Sequence, residues 1–217
     1  MTLDYKNLKE RQRKERESHP ENSALRIHRS LSWLDRAEQC DDLDGRFIFL
    51  WIAFNAAYAN ELGEITVSES ELFDNFLARL IDLDNNNRLY SIVWQQYPNA
   101  IRVLLDNKFI FQPFWNYHNG YPGYENWEQM FKQSKAAVHR ALADNDTATV
   151  LSIVFKRLYT LRNQIVHGGS TYNSQANRDQ MRDAVSILGD FVPAIIEIML
   201  DNAESYWGEA CYPVVNE

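Results

Sequence analysis

Apolar residues recur at helical spacing through most of this chain. From Ala24 to Gln39, the positions Leu25, Ile27, Leu31, Leu34 and Ala37 fall near one face, which predicts a helix over about 24–40 with Ser23 as its N-cap. The next run, DGRFIFLWIAFNAAYANELG from Asp44 to Gly63, is apolar almost all round. That is the pattern of a central bundle helix over 44–62, and Gly63 suits its C-terminal stop. The short link between these two helices favours an antiparallel hairpin.

Residues 64–145 are less regular. SESELFDNFLARLIDLD opens with a capping-box pattern from Ser68 to Glu71 and reads as a helix. RLYSIVWQQY predicts another helical stretch, and Pro98 suits the first turn of a short helix in PNAIRVLLDN. Residues 106–124 are aromatic, contain Pro and Gly and show no clear period, so they read as an ordered loop; Glu125 to Ala143 returns to helix. The last third is the most regular. Val150, Ile153, Val154, Leu158, Leu161 and Ile165 form a broad stripe over 147–167, with Asp146 or Thr147 as a cap and Gly168-Gly169 as the stop. A polar loop then leads into a long helix over 177–203, in which Gly189 and Pro193 predict a bend.

These elements predict an all-α fold. It is a single domain over 1–217 built on four main helices, with residues 64–145 as a helical insertion. Residues 1–22 read as a solvated or mobile N-terminal segment and residues 204–217 as an irregular tail. No Gly-rich phosphate loop or G-x-S-x-G elbow occurs.

Composition narrows the function. The formal net charge is −8, which argues against tight nonspecific binding to long nucleic acid, although a small RNA-cutting pocket remains compatible with it. Lys6, Lys9, Arg11, Arg13, Lys14 and Arg16 are concentrated near the start, but Asp4, Glu10, Glu15 and Glu17 are mixed among them, as on a solvated helix. Cys40 and Cys211 form neither a CxxC pair nor a disulfide framework. The first residues lack an apolar signal core and no apolar run is long enough for a membrane span, so a soluble, cytoplasmic protein is expected. His19, His28, His118 and His139 lack partners at ligand spacing, so no metal site is expected.

The candidate chemistry lies in RNQIVHGG, Arg162 to Gly169, where an apolar helix ends. On an ideal helix Asn163 and His167 lie within roughly 40° of one another, whereas Arg162 and His167 diverge by about 140°. The latter two converge on one ligand only if the helix ends near His167 or a second copy contributes. An imidazole can move a proton, a guanidinium can hold a phosphate and an amide can orient the imidazole or a substrate oxygen. That set suits attack of an RNA 2′-hydroxyl on its own phosphodiester. The same residues also suit an ordinary helix end, because a late His matches the macrodipole and Gly-Gly is a routine stop.

The stretch resembles the HEPN superfamily, whose mark is R-x(4–6)-H with a polar residue, often Asn, directly after the Arg. Arg162, Asn163 and His167 match those positions. The longer run LRNQIVHGGSTYNSQANRDQMRDAVSIL is similar to a bacterial HEPN-like group, and RFIFLWIAFNAAY resembles the earlier core helix of Apea-like HEPN proteins. The resemblance implies a helical bundle that dimerises so that two motifs face one cleft. It implies a metal-independent endoribonuclease of a toxin, defence or RNA-processing system, cutting RNA without a cofactor, with an antitoxin protein as a further partner. The alternative is a non-catalytic HEPN module that binds a nucleotide, RNA or protein partner. In one toxin group a Tyr two residues after the His is modified by the antitoxin; here that position is Gly169, and the nearest tyrosine is Tyr172.

Tyr172, Asn173 and Ser174 are candidates for contacting RNA, or simply a solvated polar loop. Asn55 and Tyr58 are candidates for lining the cleft, or a satisfied buried polar pair. The rings of Phe111, Phe114, Trp115, Tyr117, Tyr121 and Tyr124 can stack bases, but insertion core or a partner surface is the preferred reading.

Overall fold

A computed structural model describes residues 3–59, 69–175 and 177–212 of the chain. Its helices in order are α1 (Tyr5–Glu15), α2 (Glu21–Glu38), α3 (Leu43–Tyr58), α4 (Glu69–Leu83), α5 (Arg88–Ser91), α6 (Pro98–Leu105), α7 (Gln112–His118), α8 (Trp127–Ala143), α9 (Thr147–Val166) and α10 (Arg178–Asp201). Among the described residues no β-strand occurs, and the fold is all-α. No helix among them is long and apolar enough to cross a membrane.

The chain divides into two compact units. The first comprises residues 1–88 and 185–217, the second residues 89–184.

In the first unit α2 and α3 form the expected antiparallel pair. Arg26 Nη1 donates to the Ala57 carbonyl at 2.9 Å, Ser30 Oγ to the Ala53 carbonyl at 2.8 Å, and Trp33 stacks on Phe49 at 5.9 Å. Contacts that rise along α2 therefore fall along α3. Phe47, Leu50, Trp51, Ala53, Phe54, Ala57 and Tyr58 of α3 are all buried, which is why this helix has no polar face. From Leu188 to Met199, α10 is buried almost all round as well. Each of its buried Ile side chains contributes on the order of 1.5–3 kcal/mol. On α1, Leu8 and Gln12 are buried, and Arg11 pairs with Asp201 at 2.7 Å. Arg88 pairs with both Glu197 and Asp201, at 2.5 and 2.9 Å.

Several helix ends differ from the pattern-based expectation. Pro20, not Ser23, takes the N-cap position of α2, and Ser23 is buried inside the first turn. Ser23 lies one turn before Ile27 and two before Leu31, on the same buried face, so the helix starts ahead of it at the proline. Helix α3 ends at Tyr58, because Ala59 turns to extended backbone (φ −63°, ψ 126°). Gly63 and the Ser68–Glu71 capping box lie outside the described residues. Helix α10 continues unbroken through Pro193.

In the second unit the segment 106–124, expected as a loop, contains a 3-10 turn at Lys108–Ile110 and the helix α7. Pro113 sits in the first turn of α7, where its missing N–H costs nothing, and a helix of two turns is too short to display a period. Trp94 Nε1 donates to Thr147 Oγ1 at 2.9 Å and holds the π-helical turn Ile92–Gln96 to the start of α9.

Candidate functional site

Helix α9 carries the motif, and its two ends are built differently. Asp146 caps its start. Oδ1 accepts the Thr149 N–H at 3.0 Å and Oδ2 accepts the Thr149 hydroxyl at 2.6 Å, and these bonds, the hydroxyl's first, hold the carboxyl below the usual carboxylate range. The buried stripe Val150, Leu151, Val154, Phe155, Leu158 and Leu161 then fixes the helix in the second unit. Beyond Leu161 burial fades. Residues 162–165 are half-buried and residues 166–170 exposed, so the motif occupies the stretch where α9 leaves the core.

His167 is the C-cap residue. Its N–H donates to the Asn163 carbonyl at 3.0 Å, and Gly168 N–H donates to Ile165 at 3.1 Å. Gly168 has φ +70°, the left-handed conformation that ends a helix and that glycine adopts without strain. Gly169 serves another purpose, since a Cβ there would lie 3.1 Å from the Gln164 carbonyl oxygen.

Arg162 Nη1 donates to Asn163 Oδ1 at 2.9 Å, and its guanidinium carbon lies 5.8 Å from the Tyr159 ring centroid. The amide expected to meet His167 is thus engaged by Arg162. Among the described residues the exposed His167 imidazole makes no hydrogen bond or ion pair, so it is open to an external group. The chain therefore brings Arg162 and Asn163 together and leaves His167 one turn further on.

A main-chain turn and a side chain of α10 order the loop after the motif. Ser174 N–H donates to the Thr171 carbonyl at 3.1 Å, Asn173 is left-handed at φ +55°, and Arg178 Nε donates to the Ser174 carbonyl at 2.9 Å. Tyr172 stands out from this turn, 75% exposed.

Asn55 and Tyr58 belong to α3 of the first unit. Asn55 Oδ1 is buried and accepts no hydrogen bond among the described residues. The Tyr58 ring packs in an aromatic cluster with Phe54 at 4.6 Å and Phe76 at 6.1 Å, and Phe76 in turn meets Trp207 at 5.8 Å.

Two features of the second unit escape a reading of the pattern. Arg157 is 3% exposed, and its guanidinium lies 4.4 Å from the Phe111 centroid and 5.5 Å from that of Phe131. Its one hydrogen bond among the described residues runs to Ser134 Oγ at 3.0 Å, its Nε is buried without a partner, and burial pushes its pKa down to about 10. Gln164, inside the motif, donates from Nε2 to the Phe109 carbonyl at 2.6 Å. No local pattern in the sequence announces that link, because the two residues stand 55 positions apart. Among the described residues no group of three or more His, Cys, Asp or Glu side chains is placed to hold a metal ion.

Set beside known protein families, curated proteins and solved structures, the chain matches none of them.

Proposed function

We propose that this chain is a HEPN-type helical bundle and acts as a metal-independent endoribonuclease in a homodimer. One observation carries the reading: at the end of α9 a paired Arg162 and Asn163 stand one turn before an exposed His167 whose imidazole has no partner among the described residues. In the reaction, His167 removes the proton of an RNA 2′-hydroxyl, whose oxygen attacks the adjacent phosphorus. The bond from phosphorus to the 5′-oxygen breaks, and that oxygen leaves as a hydroxyl by taking the proton back from the His167 imidazolium. Arg162 neutralises the charge that builds on the phosphoryl oxygens, and Asn163 orients the guanidinium through the 2.9 Å bond. The products are a 2′,3′-cyclic phosphate, which can open to a 3′-phosphate, and a 5′-hydroxyl end. On a continuing helix Arg162 and His167 diverge by about 140°, and His167 is the C-cap at which α9 ends. Of the two routes to convergence, the HEPN resemblance implies the one in which a partner copy's motif completes each site.

Tyr172 and Asn173, on the turn beside the motif, are proposed RNA contacts. A partner antitoxin, if this is a toxin, does not act through a tyrosine two residues after the His, because Gly169 stands there.

The test is cleavage of single-stranded RNA by purified protein in EDTA, with analysis of the cut ends. Absence of cleavage, or equal cleavage by His167→Ala, rejects the nuclease. The net charge of −8 favours one competing reading, a non-catalytic HEPN module that binds a nucleotide, RNA or protein partner. That reading predicts ligand binding that depends on Arg162 with no cut product at all.

A further inference from the structure

The aromatic segment between α6 and α8 separates into buried and exposed rings. Phe111 and Phe114 are buried, whereas Phe109 is 45% exposed and shares the 3-10 turn Lys108–Ile110 with the exposed Lys108. The Phe109 carbonyl accepts two hydrogen bonds, from Trp115 Nε1 at 2.8 Å and from Gln164 Nε2 at 2.6 Å. Gln164 lies three residues before His167, which places the two within about 60° of one another around α9. An exposed ring is thereby anchored, through its own main chain, to the turn of α9 that carries the motif. The ring also meets Phe114 edge-on at 5.5 Å, which limits its rotation. Lys108 Nζ lies 5.2 Å from the Phe109 centroid and 5.8 Å from that of Phe114.

A solvent-facing ring with a cation beside it, tied to the turn of α9 that precedes the exposed His167, fits one kind of ligand: a flat π-system joined to an anion. We infer that Phe109 and Lys108 form a nucleobase subsite, in which the ring stacks an unpaired base next to the scissile phosphate and the ammonium moves from the ring to a backbone phosphate. The subsite rests on the nuclease reading above and adds to it the substrate class, single-stranded RNA. A base inside a duplex has both faces covered by its neighbours and cannot stack on a side chain.

The probe is a fluorescent single-stranded RNA of about ten nucleotides with every 2′-hydroxyl methylated, which binds as single strands do but lacks the internal nucleophile. Phe109→Ala is expected to bind it about tenfold more weakly, within the range that base–aromatic stacking supplies. Phe109→Trp restores affinity, and Lys108→Gln lowers affinity and flattens the salt dependence by about one released ion. The same sequence as a duplex is bound more weakly and without dependence on Phe109. Both tethers end on the Phe109 main-chain carbonyl, which every one of these changes keeps; should Phe109→Ala fail to fold by circular dichroism, Lys108→Gln and Phe109→Trp decide. Wild-type affinity in Phe109→Ala, or in Lys108→Gln at low salt, overturns the subsite, as does failure of the wild type to bind the probe. If the protein cuts RNA and Phe109→Ala cuts and binds equally well, the subsite falls and the nuclease stands. If the protein binds the probe through Phe109 yet cuts nothing, the nuclease falls and the subsite stands.

Discussion

Arg162 and Asn163, neighbours in sequence, hold one another: Nη1 of the guanidinium donates to Oδ1 of the amide at 2.9 Å. The bond fixes the direction of the cation one turn before the exposed His167. Under the nuclease reading, His167→Ala lowers single-turnover cleavage by about 10²–10⁴-fold, the usual range for loss of a proton-transfer group. Asn163→Ala keeps the guanidinium but frees it, and costs about tenfold. Thermal unfolding of both variants stays within about 0.5 kcal/mol of wild type because neither side chain is in the core. A large loss of stability alongside the loss of cleavage would show that these residues act structurally.

A composite site makes a sharper claim about copies. Mixing Arg162→Ala protein with His167→Ala protein, each inactive alone, lets exchanged dimers carry one site with both groups intact. Random exchange in a two-fold dimer then restores about a quarter of wild-type activity. If Arg162 and His167 of the same copy act together, the mixture stays inactive. Sedimentation of the mixture checks that dimers form.

Arg157 is a buried cation whose only hydrogen bond among the described residues is to Ser134. Its aliphatic stem and flat guanidinium fill space between Phe111 and Phe131. Arg157→Ala should therefore cost about 2–4 kcal/mol through the space it leaves. Arg157→Met fills much of that space without a buried charge and should be within about 1 kcal/mol of wild type, or more stable. Urea unfolding distinguishes these outcomes; equal losses in both variants would mean that the charge, not the volume, is what the fold uses.

Asp42 caps α3, accepting the Gly45 N–H on Oδ1 at 2.7 Å, and Cys40 Sγ donates to its Oδ2 at 3.3 Å. The Gly45 bond, first among the causes, lowers its pKa below the model-compound value of 3.8, whereas burial and then Asp42 raise that of Cys40. Because the folded state binds this proton less readily than the unfolded chain, the cap stabilises fully above 3.8 and is lost as pH falls through the depressed folded value. Asp42→Ala should cost about 1 kcal/mol at neutral pH, and the difference from wild type should shrink as pH falls below about 4. Gly45→Ala should bring none of the usual gain of alanine in a helix, since its Cβ would meet Asp42 Oδ2 at 2.8 Å and Cys40 Sγ at 2.9 Å. Thermal unfolding across pH measures both.

What the amino-acid sequence determined by itself is the set of long helices and the motif. The uninterrupted apolar character of RFIFLWIAFNAAY and the stripe from Val150 to Leu161 place α3 and α9 before any tertiary contact is known, because burial of an apolar face at a 3.6-residue period is a local property of the chain. Gly168 likewise announced the end of α9, since few residues other than glycine take its positive φ. Short elements were not legible: α7 spans seven residues, too few for a period to emerge.

Tertiary structure alone decided which polar groups are used and how. Arg157 and Arg162 look alike on the page, five positions apart on one helix, yet one is buried against two rings and the other half-exposed beside an amide. Phe109 and Gln164 stand 55 positions apart and share no local pattern, and only the packing of the second unit joins them. The physical reason is that side-chain burial and hydrogen bonding across elements depend on which faces meet. Periodicity gives each helix a face, but the partner of that face is chosen by the whole chain.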